Sequence, residues 1–209
     1  MKKLFLITLI CIASNAFSQT KTWVLEQQIV GGRNWFSQSS LMESHFMFQA
    51  GADIVRQYRN LGVGVGIGYS AESETEKYPN NKIVTRMHYI RIPVFLRVTS
   101  NETRVRPFAD VGLSFGVFMA GTRKTKSPGK PTRTDNAYPV NDPDMGFLGN
   151  AGIINKINDR MNFLTFITYY YGIAQQKLVT CSSNTPPIAY RNIGVGLGLK
   201  YKLSTKTKK

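Results

Sequence analysis

Along most of this chain apolar and polar residues alternate with a period of two, and the β-branched and aromatic residues collect on one of the two faces. Eight segments carry the pattern, roughly 22–32, 45–57, 61–71, 83–99, 104–120, 145–155, 160–173 and 190–203. No helical period competes with them. In the third, Leu61, Val63, Val65, Ile67 and Tyr69 alternate with Gly62, Gly64, Gly66 and Gly68. In the eighth, Ile193, Val195, Leu197, Leu199 and Tyr201 alternate with Gly194, Gly196, Gly198 and Lys200. One face is greasy and the other nearly bare.

The connections alternate in length as regularly as the residues alternate in polarity. They run long at 33–44, short at 58–60, long at 72–82, short at 100–103, long at 121–144, short at 156–159 and long at 174–189. Tight turns at one end and extended loops at the other, joining an even number of strands, predict an all-β fold: an eight-stranded antiparallel up-and-down transmembrane β-barrel over 19–203. A soluble sandwich or lipocalin-like barrel would turn its greasy face inward and its polar face to water. A glycine face is a poor solvent face. Turned inward, it leaves room for large side chains in a barrel whose interior, at eight strands, is just filled.

The expected packing sets the fourth segment across from the eighth, with Tyr89, Arg91, Phe95 and Arg97 over Gly194, Gly196 and Gly198. Phe166 and Tyr170 of the seventh would lie over Gly62 to Gly68. Outward-facing Trp23, Phe46, Phe48, Tyr69, Tyr169, Tyr171 and Tyr201 would form the aromatic girdles. The same parity puts Glu26, Asp53, Arg91, Arg97, Asp110 and Lys200 inside, with Gln28, Gln49 and Arg106. Such a mixture of signs predicts an ion-pair network, because a buried charge without a partner is costly. Counting back from the 100–103 turn sets Arg91 diagonal to Asp110.

Composition sharpens this picture at the ends of the chain. Met1-Lys2-Lys3, an apolar run over 4–13 and the small-residue exit Ala16-Phe17-Ser18 read as a secretory signal over 1–18, too short to span a bilayer. Cys11 lies inside that run behind Ile10, a poor lipoprotein cleavage box, and Cys181 is then the one cysteine left, which excludes an internal disulfide. The net charge is +15, and +13 without Lys2 and Lys3. Export and the scatter of the charges argue against nucleic acid as a partner. A basic tail over 204–209, ending on Lys206, Lys208 and Lys209, is expected in the periplasm with both termini.

Several stretches have a familiar cast: Tyr89-Ile90-Arg91-Ile92-Pro93-Val94-Phe95-Leu96, Arg106-Pro107-Phe108-Ala109-Asp110-Val111-Gly112-Leu113-Ser114, Gly149-Asn150-Ala151-Gly152-Ile153 and Gly196-Leu197-Gly198-Leu199-Lys200-Tyr201. From the second strand onward the chain resembles the PorT-like outer-membrane β-barrel domain family, related in architecture to OmpA and OmpX. The resemblance implies an outer-membrane location and a role in the envelope, since one member of that family is tied to protein secretion and surface motility. This chain departs from the usual terminal aromatic residue by running past Tyr201 and Leu203 into the basic tail.

Candidate chemistry is sparse. His45 follows Glu43 and Ser44, but neighbouring strand residues point to opposite faces and cannot converge as a triad. His88, with Arg86, falls on the outward parity near the external rim. No metal-ligand spacing, phosphate-binding glycine loop or cofactor motif is present, so no cofactor is expected. The third external loop carries Arg123, Lys124, Lys126, Lys130 and Arg133, followed by Asp135, Asp142 and Asp144, and its basic half is the candidate contact for anionic lipopolysaccharide. The sequence therefore predicts a non-enzymatic barrel acting in surface interaction or envelope assembly, with outer-membrane lipid and an envelope protein as partners. A narrow solute channel is the alternative.

Overall fold

In the computed structural model, ten β-strands form one antiparallel sheet: β1 (Lys21–Phe36), β2 (Met42–Glu43), β3 (His45–Tyr58), β4 (Leu61–Tyr78), β5 (Asn81–Thr99), β6 (Val105–Lys126), β7 (Arg133–Asn136), β8 (Asp144–Lys156), β9 (Met161–Gly172) and β10 (Tyr190–Leu203). The structure describes residues 21–36, 42–43, 45–100, 103–136, 144–173 and 190–203. The expected signal, the basic tail, Ser44, Asp142 and Cys181 lie outside the described residues. The staves run β1-β3-β4-β5-β6-β8-β9-β10, and β10 pairs back onto β1 from Trp23↔Leu203 to Phe36↔Tyr190, closing an eight-stranded barrel. No helix occurs among the described residues.

The wall is inverted relative to a soluble barrel. Ile67 and Val195 stand 60% and 58% exposed on its outside, while Tyr89, Val55 and Ile154 are fully buried inside. Apolar surface of that kind is stable only against hydrocarbon, and it forms a continuous outer band. Trp23 and Tyr201 edge the band at the end that carries the chain termini; Phe46, Phe48, Tyr69, Tyr169 and Tyr171 edge it at the other, all of them exposed.

Glycines line the inside, and large rings do lie over them, but the partners differ from the sequence expectation. Phe166 covers Gly196, Phe95 covers Gly64 and Tyr170 covers Gly146. These are ladder neighbours: Gly196↔Phe166, Gly64↔Phe95 and, for Tyr170, the glycine opposite the position two residues on, Gly146↔Gly172. Neighbouring staves sit about 5 Å apart and the far wall much farther, so a ring leaning along its own wall meets the adjacent glycine first. The expected contact across the lumen is replaced by contact along the wall.

Strand runs into two of the expected long loops. β4 runs on to Tyr78 and β5 starts at Asn81, so the expected loop over 72–82 closes as a hairpin around Pro79 and Asn80. β6 is 22 residues long and is met by β7 from Thr122↔Asn136 to Thr125↔Arg133. A transmembrane strand needs only about 9–11 residues, so β4, β5 and β6 project well beyond the hydrocarbon on one side of the barrel. β2 adds to the edge of this projection, pairing Glu43↔Thr75.

Candidate functional site

Inside the barrel the polar side chains form two braces. The lower one, toward the chain termini, centres on Arg97. The register sets Arg97 directly opposite Asp110, and the guanidinium makes a forked pair with it, Nε to Oδ1 at 2.6 Å and Nη2 to Oδ2 at 2.9 Å. Nη1 reaches across the lumen to Glu26 on β1. Lys200 lies 3.4 Å from the same carboxylate and donates to Gln57 Oε1 at 2.9 Å. Gln28 holds Asp53 at 2.7 Å, and Asn150 donates to Asp110 at 3.1 Å. The Arg97 guanidinium also sits 4.7 Å from the centre of the Phe108 ring, so its faces are covered as well as its edges.

The upper brace centres on Arg91. Glu72 accepts from its Nε and Nη2, and Asp144 lies 2.9 Å from Nη1. Tyr170 donates its hydroxyl to Asp144 at 2.8 Å while its ring stacks 4.4 Å from the guanidinium carbon. The expected diagonal between Arg91 and Asp110 is thus corrected: Arg91 faces Gly116, six positions from Asp110, because the pairing that runs Thr99↔Phe108 takes Arg97 to Asp110. Glu72 and Asp144 are also corrections, since both were expected in loops and both point into the lumen. The signal for each is present in the parity. Glu72 continues the even series from Gly62 through Ser70, and Asp144 begins the even series Gly146, Leu148, Asn150 and Gly152.

Between the braces lies a cavity of about 60 Å³ bordered by Gln28, Asp53, Arg91, Ser114, Asn150 and Tyr170. A water needs roughly 10–15 Å³ by this measure, so the space takes a few waters. Val30, Met47, Phe108, Ile154, Leu164 and Phe166 pack as an apolar plug, of which Val30 and Phe166 also border the cavity.

The five basic loop candidates do not share one face. The β5–β6 register shifts between His88 and Tyr89, where Met119 is the extra residue of a bulge that reverses the parity of the rest of β6. Arg123 consequently turns inward opposite Thr85, whereas Lys124 and Lys126 turn outward and are exposed. Lys130 lies in the turn past β6, and Arg133 pairs with Asp135 at 2.9 Å in the open. Two cations that alternation alone does not single out, Lys77 and Lys82, join the outward pair. Lys126 stands opposite Lys82, Lys82 stands opposite Lys77, and Arg86 follows on the same face of β5. Below them the Tyr69 hydroxyl and His88 Nδ1 are 2.5 Å apart, with the rings stacked.

At the opposite end Lys156 pairs with Asp159 at 2.6 Å, and that hydrogen bond, with the ammonium's charge, holds the carboxyl below the usual carboxylate range. Both groups are in solvent, where such pairs contribute little. Lys156→Ala should leave the urea midpoint of the folded barrel unchanged within scatter; a clear fall would show that this turn stabilises the wall.

The sequence matches no curated protein. Among solved structures, the chain is similar to the outer membrane protein OprG from Pseudomonas aeruginosa, at 9% identity and a TM-score of 0.59 over 90% of this chain and 98% of that one. It is similar to Neisserial surface protein A, at 13% identity and 0.51 over 88% and 100%. The outer membrane protein AlkL, solved by solid-state NMR in lipid bilayers, gives 10% identity and 0.53 over 91% and 94%. Identities this low speak for the fold alone. A family model spanning residues 16–177 goes further. With the inverted wall, the aromatic girdles and that match, the chain belongs to the outer membrane protein beta-barrel domain family.

Proposed function

We propose that this protein is a non-enzymatic surface barrel whose projecting sheet engages phosphorylated glycolipid or another anionic polymer of the outer leaflet, with both chain termini in the periplasm. The observation that carries the reading is the cationic row Lys77, Lys82 and Lys126, three residues side by side across three strands, with Arg86 and Lys124 on the same outer face. Like charges directly opposite one another weaken a sheet by roughly 0.2–1 kcal/mol per pair. An anion held between Lys82 and Lys126 removes the repulsion of that pair. Lys77 is eight residues beyond the girdle residue Tyr69, which at the usual strand tilt is about 20 Å above the hydrocarbon edge and within reach of phosphorylated sugars.

Lipopolysaccharide-containing vesicles test this directly. The K82E/K126E variant should bind them about tenfold more weakly at low salt, with the difference shrinking as salt rises; equal binding by both proteins would sink the proposal. The resemblance to PorT-like barrels favours a second reading, an envelope or secretion assembly role with an envelope protein partner. Crosslinking in intact cells followed by recovery of one reproducible envelope partner would support it. A channel reading predicts discrete single-channel currents in planar bilayers, and an enzyme reading predicts altered lipid A profiles when the protein is removed. We expect neither, given the plugged lumen and carboxylates already engaged by Arg91 and Arg97.

A further inference from the structure

The upper brace has more open acceptors than open donors: Arg91 Nη1, 2.9 Å from Asp144 Oδ2 but without a hydrogen bond, stands against four unpartnered oxygens. Asn34, Glu72, Asp144 and Asn192 are each at most 1% exposed, yet Asn34 Oδ1, Glu72 Oε2, Asp144 Oδ1 and Asn192 Oδ1 have no hydrogen-bond partner. The amides are oriented by their own donors: Asn34 Nδ2 donates to Ser73 O at 2.6 Å, and Asn192 Nδ2 to Glu72 Oε1 at 3.4 Å. Their open atoms are therefore carbonyl oxygens. The four residues come from four staves and are linked through contacts. Asn34 and Asn192 face each other in the β1–β10 ladder, Asn192 reaches Glu72, and Arg91 joins Glu72 to Asp144. Two carboxylates around one guanidinium leave a formal charge of −1.

We propose that this end of the lumen binds a hard cation of the Ca²⁺ class, through the open oxygens of Glu72, Asp144, Asn34 and Asn192 directly or through its waters. Water alone would satisfy the acceptors but not the charge. Carboxylate and amide oxygens are the ligands hard cations take, and Ca²⁺ accepts them in irregular numbers where Mg²⁺ demands an octahedron. Because Arg91 holds the other carboxylate oxygens, affinity belongs to the weak end of calcium sites, on the order of 10⁻⁴–10⁻³ M. The bound ion would tie β1, β4, β8 and β10 together beneath the projecting sheet.

The test uses the mature chain refolded into detergent free of glycolipid, so that no surface anion contributes, with Tb³⁺ as the probe excited through Tyr170. A saturable luminescence displaced by Ca²⁺ more readily than by Mg²⁺ is expected. Asp144→Asn and Asn192→Leu should each weaken Tb³⁺ binding about tenfold or more. Asn192→Leu leaves both Arg91 ion pairs in place and decides the matter if Asp144→Asn fails to fold. No saturable signal in the parent protein, or unchanged affinity in the variants that fold, overturns the site. Equal displacement by Mg²⁺ overturns the Ca²⁺ assignment.

Discussion

Arg97→Met should destabilise the folded barrel by about 3–5 kcal/mol, the usual consequence of removing one partner from a buried ion-pair network. The substitution keeps a flexible apolar stem of similar length but takes the guanidinium away from the buried carboxylates of Glu26 and Asp110, leaving Lys200 3.4 Å from Glu26. Urea titration of the protein in lipid vesicles, read as loss of the fast-migrating unboiled band, measures the change. The triple variant R97M/E26Q/D110N separates the two contributions. It should recover most of the loss, because the penalty lies in the stranded charges more than in the missing attraction. A loss below about 1 kcal/mol for the single variant would mean that water reaches these carboxylates and that the lumen is wetter than its packing indicates.

The second large effect concerns ring and glycine. Phe166 is flanked by Gly152 and Gly196, packs edge-on against Phe108 at 6.3 Å, and a Cβ added at Gly196 would overlap its ring. Phe166→Ala is expected to lose about 3–5 kcal/mol through the cavity it leaves. Gly196→Val should lose about 1–3 kcal/mol by overpacking. The informative measurement is the double variant, in which the added valine fills part of the lost ring's volume. Its loss should fall short of the sum by more than about 0.5 kcal/mol. Strict additivity would show that the two positions do not share space, contrary to the ladder pairing Gly196↔Phe166.

Alternation alone made the barrel legible. Two features pointed to lipid outside and glycine inside: the run Leu61, Val63, Val65, Ile67 against four glycines, and connections that alternate long and short. Strand parity also named most of the buried charges, because a period of two leaves one choice per strand once the greasy face is known. Strand ends were less legible. The residues 72–78 and 121–126 are polar on both faces beyond the membrane, so the contrast that marks a strand disappears where neither side meets hydrocarbon. Glu72 was lost to a loop for that reason, although its parity was right.

Sequence by itself determined the fold class, the inward and outward faces and the identity of Arg97, Glu26, Asp110 and Lys200 as interior groups, since these depend on local alternation. Tertiary structure alone decided who pairs with whom. Register across the β5–β6 hairpin joined Arg97 to Asp110 and freed Arg91 for Glu72 and Asp144. The bulge at Met119 reversed the parity of the last residues of β6, turning Lys124 and Lys126 outward and Arg123 inward, and so set Lys126 on the outer face beside Lys82. The first is a matter of register between strands and the second of one inserted residue, which alternation within a strand does not record and hydrogen bonding between strands does.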